Sequence, residues 1–169
     1  TTPDAAGGYT EFTGTTSAGN ARLFAQGGEN GGFGGTISFS DTSRAENARL
    51  VAEAGVNGGY GGQIIFWDQS CGNTATVQLN GNSKLDISDH GGGLSFNMLD
   101  IAAGTVVMQL GSQVSDLTLN TSLNFKAADS ALSFDFKPSD SFKNDTPYTI
   151  LTVENLSTFK EERFTGNSL

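Results

Sequence analysis

The sequence is short of nearly everything that soluble chemistry and disulfide-stapled scaffolds require. There is one cysteine, Cys71, so no internal disulfide forms and the fold must rest on packing. There is one histidine, His90, one tryptophan, Trp67, and only 3 prolines in 169 residues. Basic side chains number 9 against 18 acidic ones, a net charge of −9. That balance argues against nucleic acid and anionic membrane as partners, since both are gripped by clustered Lys and Arg. No apolar run reaches the 18 residues of a membrane-spanning helix, so no membrane insertion by this segment is expected. No basic leader precedes an apolar stretch, so no signal peptide remains. The first residues already read as mid-repeat, which implies a mature or excised fragment of a larger chain.

What the chain has in excess is glycine, 23 residues, and phenylalanine, 12. The low apolar share of 36% would suit a disordered chain, but the aromatics and the regular strand pattern argue against disorder.

An internal repeat organises the first half. Asn20-Ala21-Arg22-Leu23 returns 27 positions on as Asn47-Ala48-Arg49-Leu50. Gly31-Gly32-Phe33-Gly34-Gly35 returns as Gly58-Gly59-Tyr60-Gly61-Gly62, and Phe39 and Asp41 return as Phe66 and Asp68, at the same step. Backwards, Gly7-Gly8 and Phe12 match Gly34-Gly35 and Phe39; forwards, Ser70-Cys71-Gly72-Asn73 echoes Ser17-Ala18-Gly19-Asn20. Each repeat holds two strands of strict alternation. Ala21, Leu23, Ala25, Ile37 and Phe39 face inward; Arg22, Phe24, Gln26, Thr36, Ser38 and Ser40 face outward. The inward set persists as Ala48, Leu50, Ala52, Ile64 and Phe66, so like residues are expected to stack one strand spacing apart, about 4.8 Å. One coil cannot bury its own apolar face; stacking builds the core.

The glycine blocks mark corners, where φ > 0 is needed. Asn20, Asn47 and Asn73 suit either an axial side-chain ladder or a left-handed turn. Beyond residue 73 strands are expected at 74–79, 84–88, 94–99, 105–110, 114–119, 122–126, 131–136 and 147–153. Turns are expected at Gly81-Asn82, Gly91-Gly92-Gly93, Ala103-Gly104, Gly111-Ser112 and Pro138-Ser139. Residues 154–163 are the only helix candidate. The expected class is all-β, a parallel β-helix or β-solenoid with coils of about 27 residues in its N-terminal part. It forms one continuous domain: stacked coils over 1–137, regular through 73 and less regular over 74–137, then a C-terminal strand and cap-like segment over 138–169.

The units SAGNARLFAQGGENGGFGGTISFSD and RAENARLVAEAGVNGGYGGQIIFWDQ resemble the repeats of large bacterial surface β-helix proteins. The stretches GGGLSFNMLDIAAGTVVMQLG, SALSFDF and PYTILTVENLSTF are similar to the distal passenger region of autotransporter-type proteins and adhesins. Together they cover most of the chain. The resemblance implies a right-handed parallel β-helix, a secreted or cell-surface location of bacterial type, and an adhesive or structural role. No outer-membrane barrel follows Leu169 in this sequence.

Sites for chemistry are sparse. No G-x-S-x-G motif is present. His90 is expected in an exposed turn, and Cys71, aligned with Ala18 and Ala45, as a small, partly buried packing residue. Asp41 and Asp68 would stack after a strand at the near end of the carboxyl spacing used by glycosidases, but a repeated turn is an ordinary place for Asp. Asp86 and Asp89 are weak calcium candidates, and the calcium-binding glycine nonapeptide is absent. The glycine block at 31–35 lacks the Lys and the helix of a phosphate loop. No catalytic residue, no metal and no cofactor is therefore assigned.

The candidate binding residues are the outward apolar ones, Trp67, Ile65, Tyr60 and Phe33, with Phe24 and Val51 beside them. Cover by the segment 138–169 is the competing explanation for Trp67. The leading functional expectation is a non-catalytic structural or adhesive solenoid acting as rigid spacer and contact surface, with a protein or carbohydrate ligand. One alternative is a carbohydrate-active β-helix enzyme or binding module, which would show acids with Arg or Lys on one outward face. The other is a subunit of a head-to-tail filament self-associating through its strand edges.

Overall fold

The computed structural model describes residues 5–110, 116–143, 147–154 and 164–166. No helix occurs among them. Among the described residues, thirteen strands alternate between two parallel sheets. The odd sheet runs β1 (Tyr9–Phe12), β3 (Thr36–Phe39), β5 (Gln63–Phe66), β7 (Lys84–Asp86), β9 (Ala103–Leu110), β11 (Ala131–Pro138) and β13 (Phe164–Gly166), in that order. The even sheet runs β2 (Arg22–Ala25), β4 (Arg49–Ala52), β6 (Thr76–Leu79), β8 (Leu94–Ile101), β10 (Leu117–Phe125) and β12 (Leu151–Val153). Sequential strands lie in opposite sheets and every pairing is parallel, the arrangement of a β-solenoid.

The pairing register follows the repeat. Leu23 pairs with Leu50 and Ala25 with Ala52; Ile37 pairs with Ile64 and Phe39 with Phe66. Phe12, Phe39 and Phe66 stack face to face, with centroids 4.8 and 4.7 Å apart and planes within 8°. Phe96 closes the column edge-on, at 5.2 Å and 71° from Phe66. In β3, β4 and β5 this inward row is buried, and Phe39, Leu50, Ile64 and Phe66 lose all solvent contact. Each such side chain contributes about 1.5–3 kcal/mol of burial.

The step of 27 lasts longer than the sequence suggests. It carries Arg49 onto Thr76 and Ala52 onto Leu79. It then shortens to 21, with Gln63 on Lys84 and Lys84 on Thr105, because only residues 80–83 join β6 to β7 where residues 53–62 join β4 to β5. Later steps lengthen again, to 28 for Ala103 on Ala131 and 34 for Leu117 on Leu151.

Several local expectations need correction. The expected strands 114–119 and 122–126 are one strand, β10, bent by an extra residue between Leu119 and Ser122. Ala103-Gly104 is no turn: it opens β9, and the chain turns at Ala102 alone. Gly104 is there because a Cβ would sit 2.7 Å from that of Leu79. The segment 147–153 is strand only over Leu151–Val153. Residues 155–163 and Gly111-Ser112 lie outside the described residues, with most of the helix candidate.

Candidate functional site

Between β2 and β3, and again between β4 and β5, the backbone leaves the sheets as a narrow lobe. Its base is closed by Gly35 N–H to Gln26 O and Gly62 N–H to Glu53 O, both within 2.8 Å. Its tip is an Asn-Gly turn. Asn30 and Gly31 sit at φ 52° and 83°, Asn57 and Gly58 at 50° and 79°, the paired positive values of a type I′ turn. The turns close through Gly32 N–H to Glu29 O and Gly59 N–H to Val56 O, each 2.9 Å.

Successive lobes stack backbone on backbone. Val56 N–H donates to Gly28 O and Tyr60 N–H to Gly32 O. Side chains have no room here: a Cβ on Gly27 would lie 1.9 Å from Ala54 O, and one on Gly62 2.0 Å from Ala25 O. The lobe is absent from the third turn of the chain, where Asn82 takes its place. The Asn82 amide accepts from Gly55 N–H at 2.8 Å and donates to Gly59 O at 3.0 Å.

This bare scaffold holds up two of the four candidate contact residues. Phe33 and Tyr60 stack at 5.1 Å and 11° and are 49% and 55% exposed. Val56 on the same lobe is 48% exposed. Ile65 and Trp67 stand apart from that pair, at and just after β5, and both are half-buried. Ile65 faces outward between Ser38 and Asp86 in the register. The four residues therefore do not form one cluster: the lobe carries an exposed two-ring ledge, and Ile65 and Trp67 belong to the flank of the odd sheet.

Outward-facing is not the same as exposed on these narrow sheets. Ser38 points outward yet is fully buried, because its Oγ donates to Tyr9 Oη at 2.8 Å beneath the tyrosine. Val51, also outward, is 2% exposed between Phe24 and Gln78.

Asp41 and Asp68 have a definite structural task. Positions 14, 41 and 68 all lie in the left-handed region, at φ 62°, 55° and 54°. The Asp41 carboxylate accepts from Gly14 N–H at 2.8 Å and the Asp68 carboxylate from Asp41 N–H at 3.1 Å. Each acid caps the turn of the preceding coil. The asparagine alternatives separate by position: Asn47 Nδ2 donates to Asn20 Oδ1 at 3.1 Å and Thr74 continues that ladder, whereas Asn73 takes the left-handed turn at φ 53°.

His90 and Cys71 are placed otherwise than expected. His90 is buried, not an exposed turn residue: Nε2 lies 2.7 Å from Ser70 O and Nδ1 3.0 Å from Gly92 O, so neither nitrogen is turned toward a nucleophile. Cys71 pairs with Arg44, which pairs with Ser17, so the buried position of Ala45 falls to Gly72 and the thiol is exposed. Ser70-Cys71-Gly72-Asn73 lies 53 positions after Ser17-Ala18-Gly19-Asn20, one short of two 27-residue steps, so the like letters are not structural equivalents. Asp86 is engaged by Ser88 and by Lys137 at 3.6 Å. Among the described residues no three of His, Cys, Asp and Glu converge as a metal-ligand set.

A feature passed over in the sequence is the open cleft of about 620 Å³ beside the first lobe, lined by Tyr9, Phe24, Gln26, Glu29, Phe33 and glycine backbone. Its signal was present in the repeat: Phe24 and Tyr9 take positions where later coils have Val51 and Thr36. Comparison with protein families, with curated proteins and with solved structures returns no match for this chain.

Proposed function

We propose that the chain is a right-handed parallel β-helix with coils of about 27 residues in its N-terminal part, and that it serves as a non-catalytic structural or adhesive element of a bacterial cell surface. The right hand follows the general rule for crossovers between parallel strands of one sheet. The observation that carries the structural reading is the repeated ladder. Phe on Phe, Asn on Asn and Asp on the preceding turn's amide recur at one step, which makes a stiff, extendable rod. The Phe33–Tyr60 ledge, raised on two stacked glycine-rich lobes, is its contact surface for a protein or carbohydrate.

The enzymatic alternative is disfavoured by the same ladder. Asp41 and Asp68 hold turn amides, and the histidine ring is held by two carbonyls. The filament alternative draws on the ends, since β1 and β2 each pair on one side only. The test is a turnover assay on a panel of neutral and acidic polysaccharides with the wild-type protein and Asp41→Asn and Asp68→Asn. The proposal expects no product from any of them. Turnover that either substitution abolishes would overturn it.

A further inference from the structure

The outward face of the even sheet places two like charges side by side. Arg22 and Arg49 are direct partners in the parallel register, so their stems rise one strand spacing apart, about 4.8 Å. Like charges facing each other across a strand pair repel. This chain has twice as many acids as bases, 18 against 9, yet no carboxylate answers this pair among the described residues. Arg44 pairs with Glu46, Lys137 with Asp86, and Glu53 accepts from Asn80. Arg49 donates to Gln78 Oε1, a neutral acceptor that fixes the guanidinium without cancelling its charge. Arg22 is exposed.

Two residues along the same face stands Phe24, 49% exposed beside the buried Val51. Phe24 is also a wall of the cleft of about 620 Å³, whose other aromatic walls are Tyr9 and Phe33. Neither arginine is a wall of that cleft, whose other side chains include the amide of Gln26 and the carboxylate of Glu29, so the cationic pair and Phe24 lie on the sheet face beside it.

We propose that Arg22, Arg49 and Phe24 form a binding subsite for an acidic polysaccharide, a polymer of carboxylate-bearing sugars. The guanidinium pair takes the sugar carboxylate through paired N–H donors, the geometry in which Arg surpasses Lys. The Phe24 ring takes the C–H face of the same or the next sugar. Gln26, the next outward residue after Phe24, is exposed and meets hydroxyl groups of the neighbouring unit. The strand ladder holds the two arginines in fixed register, so the ligand meets a preorganised site. This assignment rests on the contact-surface reading of the solenoid and names the chemistry of one ligand.

The test is calorimetric titration of the intact protein with polygalacturonate, with dextran as the neutral polymer and poly-L-glutamate as the acidic peptide. Saturable binding of polygalacturonate is expected, with no heat from dextran and at least tenfold weaker binding of poly-L-glutamate. Arg22→Gln, at an exposed position, weakens binding about tenfold, the scale of one charge-assisted contact. Arg49→Gln does the same, and Phe24→Ala lowers affinity for the sugar polymer while leaving the weak response to poly-L-glutamate unchanged. Equal binding of dextran, equal binding of poly-L-glutamate, or wild-type affinity in Arg22→Gln would each overturn the proposal. Cleavage of the polymer during the titration would overturn the non-catalytic reading instead.

Discussion

Phe39 and Ser38 are neighbours in β3, and their burial shows what strand alternation does and does not determine. Phe39 is inward and sandwiched between two parallel rings. Phe39→Ala should therefore destabilise by about 3–5 kcal/mol, through lost transfer energy plus a cavity. Ser38 is outward, and alternation alone would make Ser38→Ala neutral. Its hydrogen bond to Tyr9 Oη and its complete burial predict a loss of about 1 kcal/mol instead. Urea denaturation of the two variants measures both. Two glycines make a second pair of opposites. A Cβ on Gly19 meets nothing within 4 Å, so Gly19→Ala costs only its left-handed backbone, φ 58°, about 1–2 kcal/mol. A Cβ on Gly62 would lie 2.0 Å from Ala25 O, so Gly62→Ala should cost more than about 3 kcal/mol, beyond ordinary overpacking. Equal melting temperatures for these two variants would contradict the close stacking of the lobe on β2.

The turn after β1, β3 and β5 is the element in which sequence and structure explain one another best. Asp68 does two things there: it adopts φ 54°, and its carboxylate receives the amide of the turn before it. Asp68→Asn keeps an acceptor and a residue that tolerates the left-handed region, and should cost less than about 1 kcal/mol. Asp68→Ala loses both and should cost about 2 kcal/mol, by adding a strained backbone to an unanswered amide. Thermal unfolding of the two variants checks the order. The glycine lobe was legible only in part. Its Asn-Gly tips and its exposed Phe33 and Tyr60 stood in the repeat, but the substitution of Asn82 for a whole missing lobe did not. Nothing in the sequence around Gly81-Asn82 distinguishes an ordinary turn from one whose amide plugs the neighbouring coil. The bulge in β10 was hidden for the same reason: an extra residue leaves alternation intact on either side of it and reads as a gap between two strands.

At the scale of the whole molecule, the parallel two-sheet stack was legible because a 27-residue step preserves the inward set Ala, Leu, Ile and Phe while the outward set drifts. After Leu79 the step changes to 21 and then lengthens, so letter matching fails although pairing continues. Burial of outward residues was the part least open to sequence reading. Whether Ser38, Val51 or Trp67 meets solvent depends on what the adjoining coil carries at the same register, and the coils differ there. The most direct test of the stack is a proton NOESY spectrum of the labelled protein in solution. Interstrand Hα–HN cross-peaks should link Thr36–Phe39 to Gln63–Phe66 in parallel order, near Thr36 to Gln63 at one end and Phe39 to Phe66 at the other. Cross-peaks running from Thr36 to Phe66 and from Phe39 to Gln63, the antiparallel order, would contradict the solenoid and everything built on it.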